Sequence, residues 1–193
     1  MILPDPIDKF RELLERAHAV ETADATAVAL ATADAEGRPA ARMVLLKKVD
    51  ERGFVFYTNY GSRKAQDLAR NPLAALCFYW PALQTQVRVE GSVERVGDEE
   101  SEEYFASRPR GHQLAAWASR QSAVLAERRE LQQRYEEMDA RFGEGVIPRP
   151  PFWGGFRLSP QTIEFWHGFE NRLHDRLLYR REGAAWSCAR LNP

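Results

Sequence analysis

Two arginines and a histidine, Arg172, His174 and Arg176, stand at alternate positions near the C-terminus. If that segment is a strand, all three project from one face, with Leu173, Asp175 and Leu177 on the other. Side by side they repel unless an anion lies against them, or unless Glu164 or Glu170 pairs with them. A second basic group, Ser62-Arg63-Lys64, follows Gly61 at the start of a short helical pattern. Free backbone N–H groups and the positive helix end favour an anion there. The same triplet would also serve an ordinary capped surface helix. Gln121-Ser122 repeats the theme before a longer helical pattern, again with a simple N-cap as the alternative. Arg42 and Lys47 bracket Met43-Val44-Leu45-Leu46 in a largely apolar strand. Period two places Arg42, Val44 and Leu46 on one face and Met43, Leu45 and Lys47 on the other. Basic residues so placed either snorkel to solvent or meet a ligand. Tyr104 and Arg108, four apart on one helical face, either hold a phosphate or cap a helix end. The chemistry common to these groups is anion binding.

Other catalytic devices are missing from the sequence. It has no GxSxG elbow, no HExxH pair, no GxxxxGK[ST] loop and no GxGxxG fingerprint. His18, His112, His167 and His174 do not sit at metal-ligand spacing, so no metal is expected. Cys77 and Cys188 exclude a disulfide framework and a cysteine-based zinc site, and fit a reducing, cytoplasmic setting. Lys plus Arg is 27 and Asp plus Glu is 28, a net charge of −1 that argues against a general nucleic-acid binder. No apolar run approaches the length of a membrane span. Asp5, Asp8 and Glu12 exclude the apolar core of a signal peptide at the N-terminus.

The elements that must position the basic groups read as follows. Asp5-Pro6 starts an amphipathic helix to about His18, with Ile7, Phe10, Leu14 and Ala17 on its apolar side. Strands are expected over Ala27–Ala33, Ala40–Val49 and Phe54–Thr58, with turns at Glu36-Gly37 and Asp50–Gly53. A short helix capped by Ser62 runs to Arg70 and is closed by Asn71-Pro72. Strands resume over Leu73–Trp80 and Thr85–Val96. Asp98 is an N-cap candidate for a helix to about Ser107. A short helix near Gln113–Ser119 follows, then a longer one over Ala123–Phe142. That longer helix is expected to place Val124, Leu131, Tyr135, Met138 and Phe142 on one side. Phe152 to the C-terminus returns to strands, turning at Glu182-Gly183, and Phe152, Trp153, Phe156, Phe165 and Trp166 read as core aromatics. Strands, a helical insertion at about 98–142, then strands again predict an antiparallel barrel with attached helices. At 193 residues the chain is read as one domain, 1–193.

Several segments occur together in a distinctive order. They are Arg42 to Lys47, Phe56-Tyr57-Thr58-Asn59, Gly61 to Lys64, Ser107-Arg108-Pro109-Arg110 and Gln121-Ser122. Phe152-Trp153-Gly154-Gly155-Phe156-Arg157 and Arg172-Leu173-His174-Asp175-Arg176 follow. In these the chain resembles the pyridoxine/pyridoxamine 5'-phosphate oxidase family, from about Pro4 to Pro193. The last two segments are the most specific. The resemblance implies an α+β fold, an FMN-binding split β-barrel with flanking helices, working as a homodimer with each flavin at the subunit interface. It also implies residue roles. Arg42, Met43, Val44, Leu45, Leu46 and Lys47, with Tyr57 and Thr58, line the FMN. Arg63, Lys64, Gln121 and Ser122 hold its phosphate end, and Gln86 contacts the flavin. Trp166 and Arg176 reach the flavin from the partner subunit. Lys47, Tyr104 and Arg108 hold the substrate phosphate, and Arg172 and His174 sit against the pyridine ring as catalytic residues.

The sequence departs from that pattern at His112, where family members have serine; the expectation is that His112 takes over as a phosphate ligand. Many members also have a longer basic N-terminal arm, whereas this chain starts almost at its first helix. The implied reaction is oxidation of pyridoxine or pyridoxamine 5'-phosphate to pyridoxal 5'-phosphate, with O2 reduced to hydrogen peroxide. Two rivals stand beside it. One is a phenazine-pathway oxidase with a tricyclic substrate, the other a non-catalytic FMN or pyridoxal-phosphate binding protein. Lys47, Tyr104, Arg108, Arg172 and His174 suit a phosphorylated pyridine and weigh against the first, and the intact Arg172/His174 pair weighs against the second.

Overall fold

Asp5 accepts the Ile7 N–H at 2.7 Å and Pro6 fills the first turn, so α1 (Pro6–Val20) begins where the sequence places it. It runs two residues beyond the expected His18. The computed structural model describes residues 5–193; Pro4, at the edge of the resemblance, lies outside them. Ile7, Phe10 and Ala17 of α1 are buried. The Phe10 ring meets Phe54 at 4.8 Å, Phe78 at 4.9 Å and Trp80 at 5.8 Å. Burying a side chain of this size contributes about 1.5–3 kcal/mol, which fixes α1 across one end of the sheet.

The strands are β1 (Ala27–Ala33), β2 (Pro39–Leu45), β3 (Lys48–Asp50), β4 (Gly53–Asn59), β5 (Leu73–Trp80), β6 (Thr85–Arg95), β7 (Trp153–His167), β8 (Asp175–Glu182) and β9 (Ala185–Leu191). They form one curled antiparallel sheet in the order β2-β1-β5-β6-β7-β4-β3, with β8 on β7 and β9 on β8. The long β7 joins the sheet's parts, pairing with β4 through Trp153–Leu158, with β6 along most of its length and with β8 through Thr162–His167. The helices α2 (Arg63–Arg70), α3 (Asp98–Ser107), α4 (Arg110–Ala118) and α5 (Arg128–Phe142) flank the sheet. A second apolar cluster of Phe105, Leu114, Ile147 and Trp153 lies under α3 to α5. Among the described residues no helix is long and apolar enough to cross a membrane.

Several expectations need correction. The expected strand Ala40–Val49 is two strands, and Lys47 lies between them. Leu46 is buried in the core and its N–H donates to the Thr26 carbonyl, which turns the chain away from β2. The predicted face alternation still holds within β2, where Arg42 and Val44 are half-buried and Met43 and Leu45 are exposed. Gly97, not Asp98, precedes α3, and Asp98 is its first residue. Ser62 flanks α2 without a side-chain capping bond, because its Oγ accepts from Lys64 Nζ at 3.2 Å instead. The long helix starts at Arg128, not Ala123; Val124 is fully exposed and α5 buries no residue completely. Tyr135, Met138 and Phe142 do pack inward. Finally, Arg172 and His174 are not on a strand with Arg176. β8 starts at Asp175, and Arg172 sits in a tight turn with φ 60 beside Asn171 at φ 55.

Candidate active site

β2, the end of β4 and the start of α2 meet α3, α4 and the loop after α4 around an open cavity of ≈ 970 Å³. Arg42, Met43, Val44, Leu45 and Lys47 form one wall. Tyr57, Thr58, Arg63 and Lys64 form the base, and Gln121 and Ser122 close one end. Tyr104, Arg108 and His112 line the other side, with Trp153. These predicted residues are thus brought together. Leu46 is not among them, being packed into the core.

Lys64 is tightly held, with 7% of its surface exposed. Its Nζ donates to Thr58 Oγ1 at 2.9 Å, to Ser62 Oγ at 3.2 Å and to Gln121 Oε1 at 2.9 Å. All three acceptors are neutral. Burial, and then the neighbouring charge of Arg42, push the ammonium down to about 8. Arg63 adds a second cation, and its backbone N–H donates to Ser122 Oγ at 3.2 Å. Gln121 and Ser122 do not begin the long helix, as expected, but lie in the loop before it. Asn59 ties that loop down, donating to the Ser119 carbonyl at 3.2 Å. Ser122 itself has φ 71, an unusual conformation for serine.

Arg42 depends on residues that the sequence did not single out. Its guanidinium donates to Thr32 Oγ1 at 2.7 Å and to the Leu30 carbonyl at 3.2 Å, and stands 3.7 Å from Asp67. Thr32 in turn donates to Asp67 at 2.7 Å. A lone acid in the basic segment of α2, one turn after Lys64, was the available signal for Asp67.

At the other end, Tyr57, Tyr104 and Trp153 lie nearly parallel. Tyr57 is 4.0 Å from Tyr104 and 5.5 Å from Trp153, ring centre to ring centre. Gly155, opposite Tyr57 on β7, makes room for this: a Cβ there would come within 2.8 Å of the Tyr57 ring. Burial pushes the Tyr57 hydroxyl up to about 12 and raises that of Tyr104. The Arg108 guanidinium lies 4.6 Å over the Trp153 ring. Its Nη1 is buried without a hydrogen-bond partner, and burial lowers the group's proton affinity. A buried unpartnered guanidinium nitrogen is costly and fits a site that receives an anion. Trp153, read as more often core than cofactor platform, is both core and cavity wall.

Gln86, Trp166, Arg172, His174 and Arg176 lie elsewhere, outside this cavity. Gln86 on β6 faces Trp166 on β7, and Trp166 faces Arg176 on β8. The Trp166 and His174 rings are 4.6 Å apart. Arg176 Nε donates to the buried Glu164 at 2.8 Å, one of the two carboxylates considered for this pairing. That bond, ahead of the opposing effect of burial, raises the arginine's proton affinity. The Phe169 N–H donates to His174 Nδ1 at 3.1 Å, so the neutral ring carries its proton on Nε2. Arg172 is exposed. The two groups form separate surfaces of one protomer.

Residues 8–142 match the family described as "Pyridoxamine 5'-phosphate oxidase". Residues 153–193 match "Pyridoxine 5'-phosphate oxidase C-terminal dimerisation region". The chain is 57% identical over 190 residues to a protein of Rubrobacter xylanophilus named pyridoxine/pyridoxamine 5'-phosphate oxidase, covering 98% of this chain and 88% of that one. A protein of that name from Myxococcus xanthus is 54% identical over 193 residues, covering 100% and 94%. Among solved structures, PhzG from Burkholderia lata, in complex with tetrahydrophenazine-1-carboxylic acid, superposes with a TM-score of 0.93 at 30% identity, covering 100% of this chain and 98% of that one. A pyridoxamine 5'-phosphate oxidase-related, FMN-binding protein of Nostoc punctiforme shares the fold at TM-score 0.76 and 20% identity, covering 96% of each chain.

Proposed function

The chain belongs to the pyridoxine/pyridoxamine 5'-phosphate oxidase family, and from that we propose that it is an FMN-dependent oxidase of pyridoxine 5'-phosphate and pyridoxamine 5'-phosphate, yielding pyridoxal 5'-phosphate and hydrogen peroxide from O2. One observation carries the reading. The cavity holds two cationic centres that have no carboxylate partner among the described residues, Lys64 with Arg63 at one end and Arg108 at the other. One centre suits the cofactor's phosphate and the other the substrate's.

The residues present fit FMN. Arg63 and Lys64, with Gln121 and Ser122, would hold its phosphate. Arg42 to Leu45, Lys47, Tyr57 and Thr58 would line the remainder. Hydride acceptance from the substrate carbon, with electrons passed on to oxygen, is the chemistry that FMN supplies when bound. This chain's own residues bind and orient. Lys47, Tyr104, Arg108 and His112 take the substrate phosphate. Arg108 has its stem and plane fixed by Trp153, so little freedom is lost when the anion arrives. Arg172 and His174 position the pyridine ring, and Arg176 brings positive charge toward the cofactor's ring system.

Those three residues, with Gln86 and Trp166, lie outside the cavity of their own protomer. A homodimer in which each site takes Trp166 and Arg176 from the partner would unite the halves, and the C-terminal family match supports it. The tetrahydrophenazine-1-carboxylic acid of the PhzG complex carries one carboxylate and no phosphate, and the relatives at 57% and 54% identity carry the pyridoxine/pyridoxamine 5'-phosphate oxidase name instead. The test is a visible spectrum of the purified protein and its peroxide release. Flavin absorbance at about one FMN per subunit and peroxide formed with pyridoxine 5'-phosphate support the reading. A colourless protein that neither binds added FMN nor forms peroxide refutes it.

A further inference from the structure

Arg157 on β7 is 2% exposed and does not line the cavity. Its guanidinium nevertheless joins both sides of it. Nη1 donates to Asp50 Oδ1 at 2.5 Å, and Nη2 donates to Glu100 at 3.0 Å and 3.2 Å. Asp50 ends β3, the short strand that begins directly after Lys47. Glu100 lies in α3, one turn before Tyr104 and two before Arg108. Lys48 closes the circuit on the solvent side, donating to Glu100 at 3.1 Å. The Tyr57 hydroxyl donates to the Glu100 carbonyl at 3.3 Å, so Glu100 is held through its backbone as well.

We propose that Arg157 is a positioning residue that sets the gap between the two walls of the phosphate subsite, Lys47 on one side and Tyr104 with Arg108 on the other. This rests on the functional reading above and adds what holds that subsite in register. α3 buries Ser101 and Phe105 and is tied to Arg149 through Asp98, but those anchors do not reach β3; Arg157 is the buried link that does. One guanidinium placed between two carboxylates spans the walls because its fork donates in two directions. A lysine at the same place offers one point charge without the fixed two-way fork; Lys48, 3.1 Å from Glu100, reaches Asp50 only at 3.9 Å. The ion pair is buried on the arginine side, so a lost partner is not replaced cheaply by water.

The experiment compares Arg157→Lys and Glu100→Gln with the wild-type protein, all loaded with FMN. The probes are 4-deoxypyridoxine 5'-phosphate and 4-deoxypyridoxine, which lack the oxidisable group, so their binding is read at equilibrium by calorimetry. The expected result is a dissociation constant for the phosphorylated probe raised roughly tenfold in both variants, equivalent to about 1.4 kcal/mol. The unphosphorylated probe and FMN retention stay unchanged. General loosening of the fold would instead weaken both probes alike and release FMN, and that result overturns the proposal. If Arg157→Lys does not fold, Glu100→Gln carries the test. A wild-type protein that does not prefer the phosphorylated probe overturns the functional reading beneath. A wild-type protein that prefers it, with variants that prefer it equally, overturns the role of Arg157 alone.

Discussion

Lys64 Nζ donates to Gln121 Oε1 at 2.9 Å across 57 residues of sequence. That bond draws the loop after α4 onto the start of α2 and gathers Lys64, Gln121 and Ser122 from two distant segments. It also leaves a buried ammonium among neutral oxygens, with Arg42 close enough to depress it further. An ammonium in such surroundings is held in readiness for an anion, at some cost to the protein without one.

The pH dependence of that cost has a definite sign. The folded value of Lys64 is lowered to about 8 from an ordinary 10.5. Between those values the unfolded chain binds more protons, so the FMN-free protein gains stability as pH rises from about 8 to 10.5. The gain is at most about 3 kcal/mol. FMN affinity should move the opposite way, falling as the ammonium is lost. Titrating wild-type protein and Lys64→Met side by side checks both, since the variant should lose each trend. Parallel curves for the two proteins would remove Lys64 from the phosphate site.

Arg172→Ala and His174→Ala are expected to spare FMN binding and to lower kcat/KM for pyridoxine 5'-phosphate by about a hundredfold, through lost orientation of the ring. Neither residue lines the cavity that holds Arg63 and Lys64. Flavin content after gel filtration and steady-state kinetics separate the two effects. Loss of flavin with normal kinetics on its re-addition would reverse the assignment.

How far the sequence could be read depended on how local the cause was. β1 and β5 lie where strand formers between turn residues place them, Ala27–Ala33 and Leu73–Trp80, because alternation and punctuation are local signals. The place of Arg63 and Lys64 at the start of a short helix was legible for the same reason. The start of α5 was not. Ala123 to Ala126 has helix-forming composition, but Gln121 and Ser122 are drawn away to α2, and the chain reaches Arg128 before it can coil. Nor was the break before β8. Asn171 and Arg172 adopt positive φ, which their residue types do not announce, and a strand period carried through them put His174 on the wrong element. Arg157 shares 57 residues of separation from Glu100 with no intervening pattern, so only the fold shows their bond.

Acid should weaken the bridge between β3 and α3. Burial raises the Asp50 carboxyl, but the hydrogen bonds from Arg157 and the Arg52 backbone outweigh it and hold the group below its ordinary value. Burial likewise raises the Glu100 carboxyl, but the Lys48 hydrogen bond and the charge of Arg157 outweigh it and hold that group below its ordinary value too. Both groups are depressed in the fold, so their stabilisation is present at neutral pH and is lost as pH falls below about 4. Glu100→Gln should therefore cost about 1–3 kcal/mol near pH 7, and that cost should shrink as acid protonates the native carboxylate. Urea unfolding at a series of pH values reads this directly. A difference that persists undiminished in acid would mean that packing, not charge, accounts for the loss.

The separation of the cavity from Arg176 gives the sharpest test of assembly. Arg63 and Lys64 line the cavity of one protomer, whereas Arg176 pairs with Glu164 on β7, outside it. If each site takes Arg176 from the partner, an Arg176→Ala chain and an Arg63→Ala/Lys64→Ala chain should complement each other. In a hybrid dimer one site combines intact Arg63 and Lys64 from the first chain with intact Arg176 from the second. The other site has all three changes and is dead. Random re-association of equal amounts makes half the dimers hybrid, so recovered activity should approach about a quarter of the wild-type value, from two nearly inactive parents. The measurement is peroxide release after co-refolding, with dimer content checked by sedimentation. No recovery in samples shown to contain hybrid dimers would place Arg176 in the site of its own protomer, or in none.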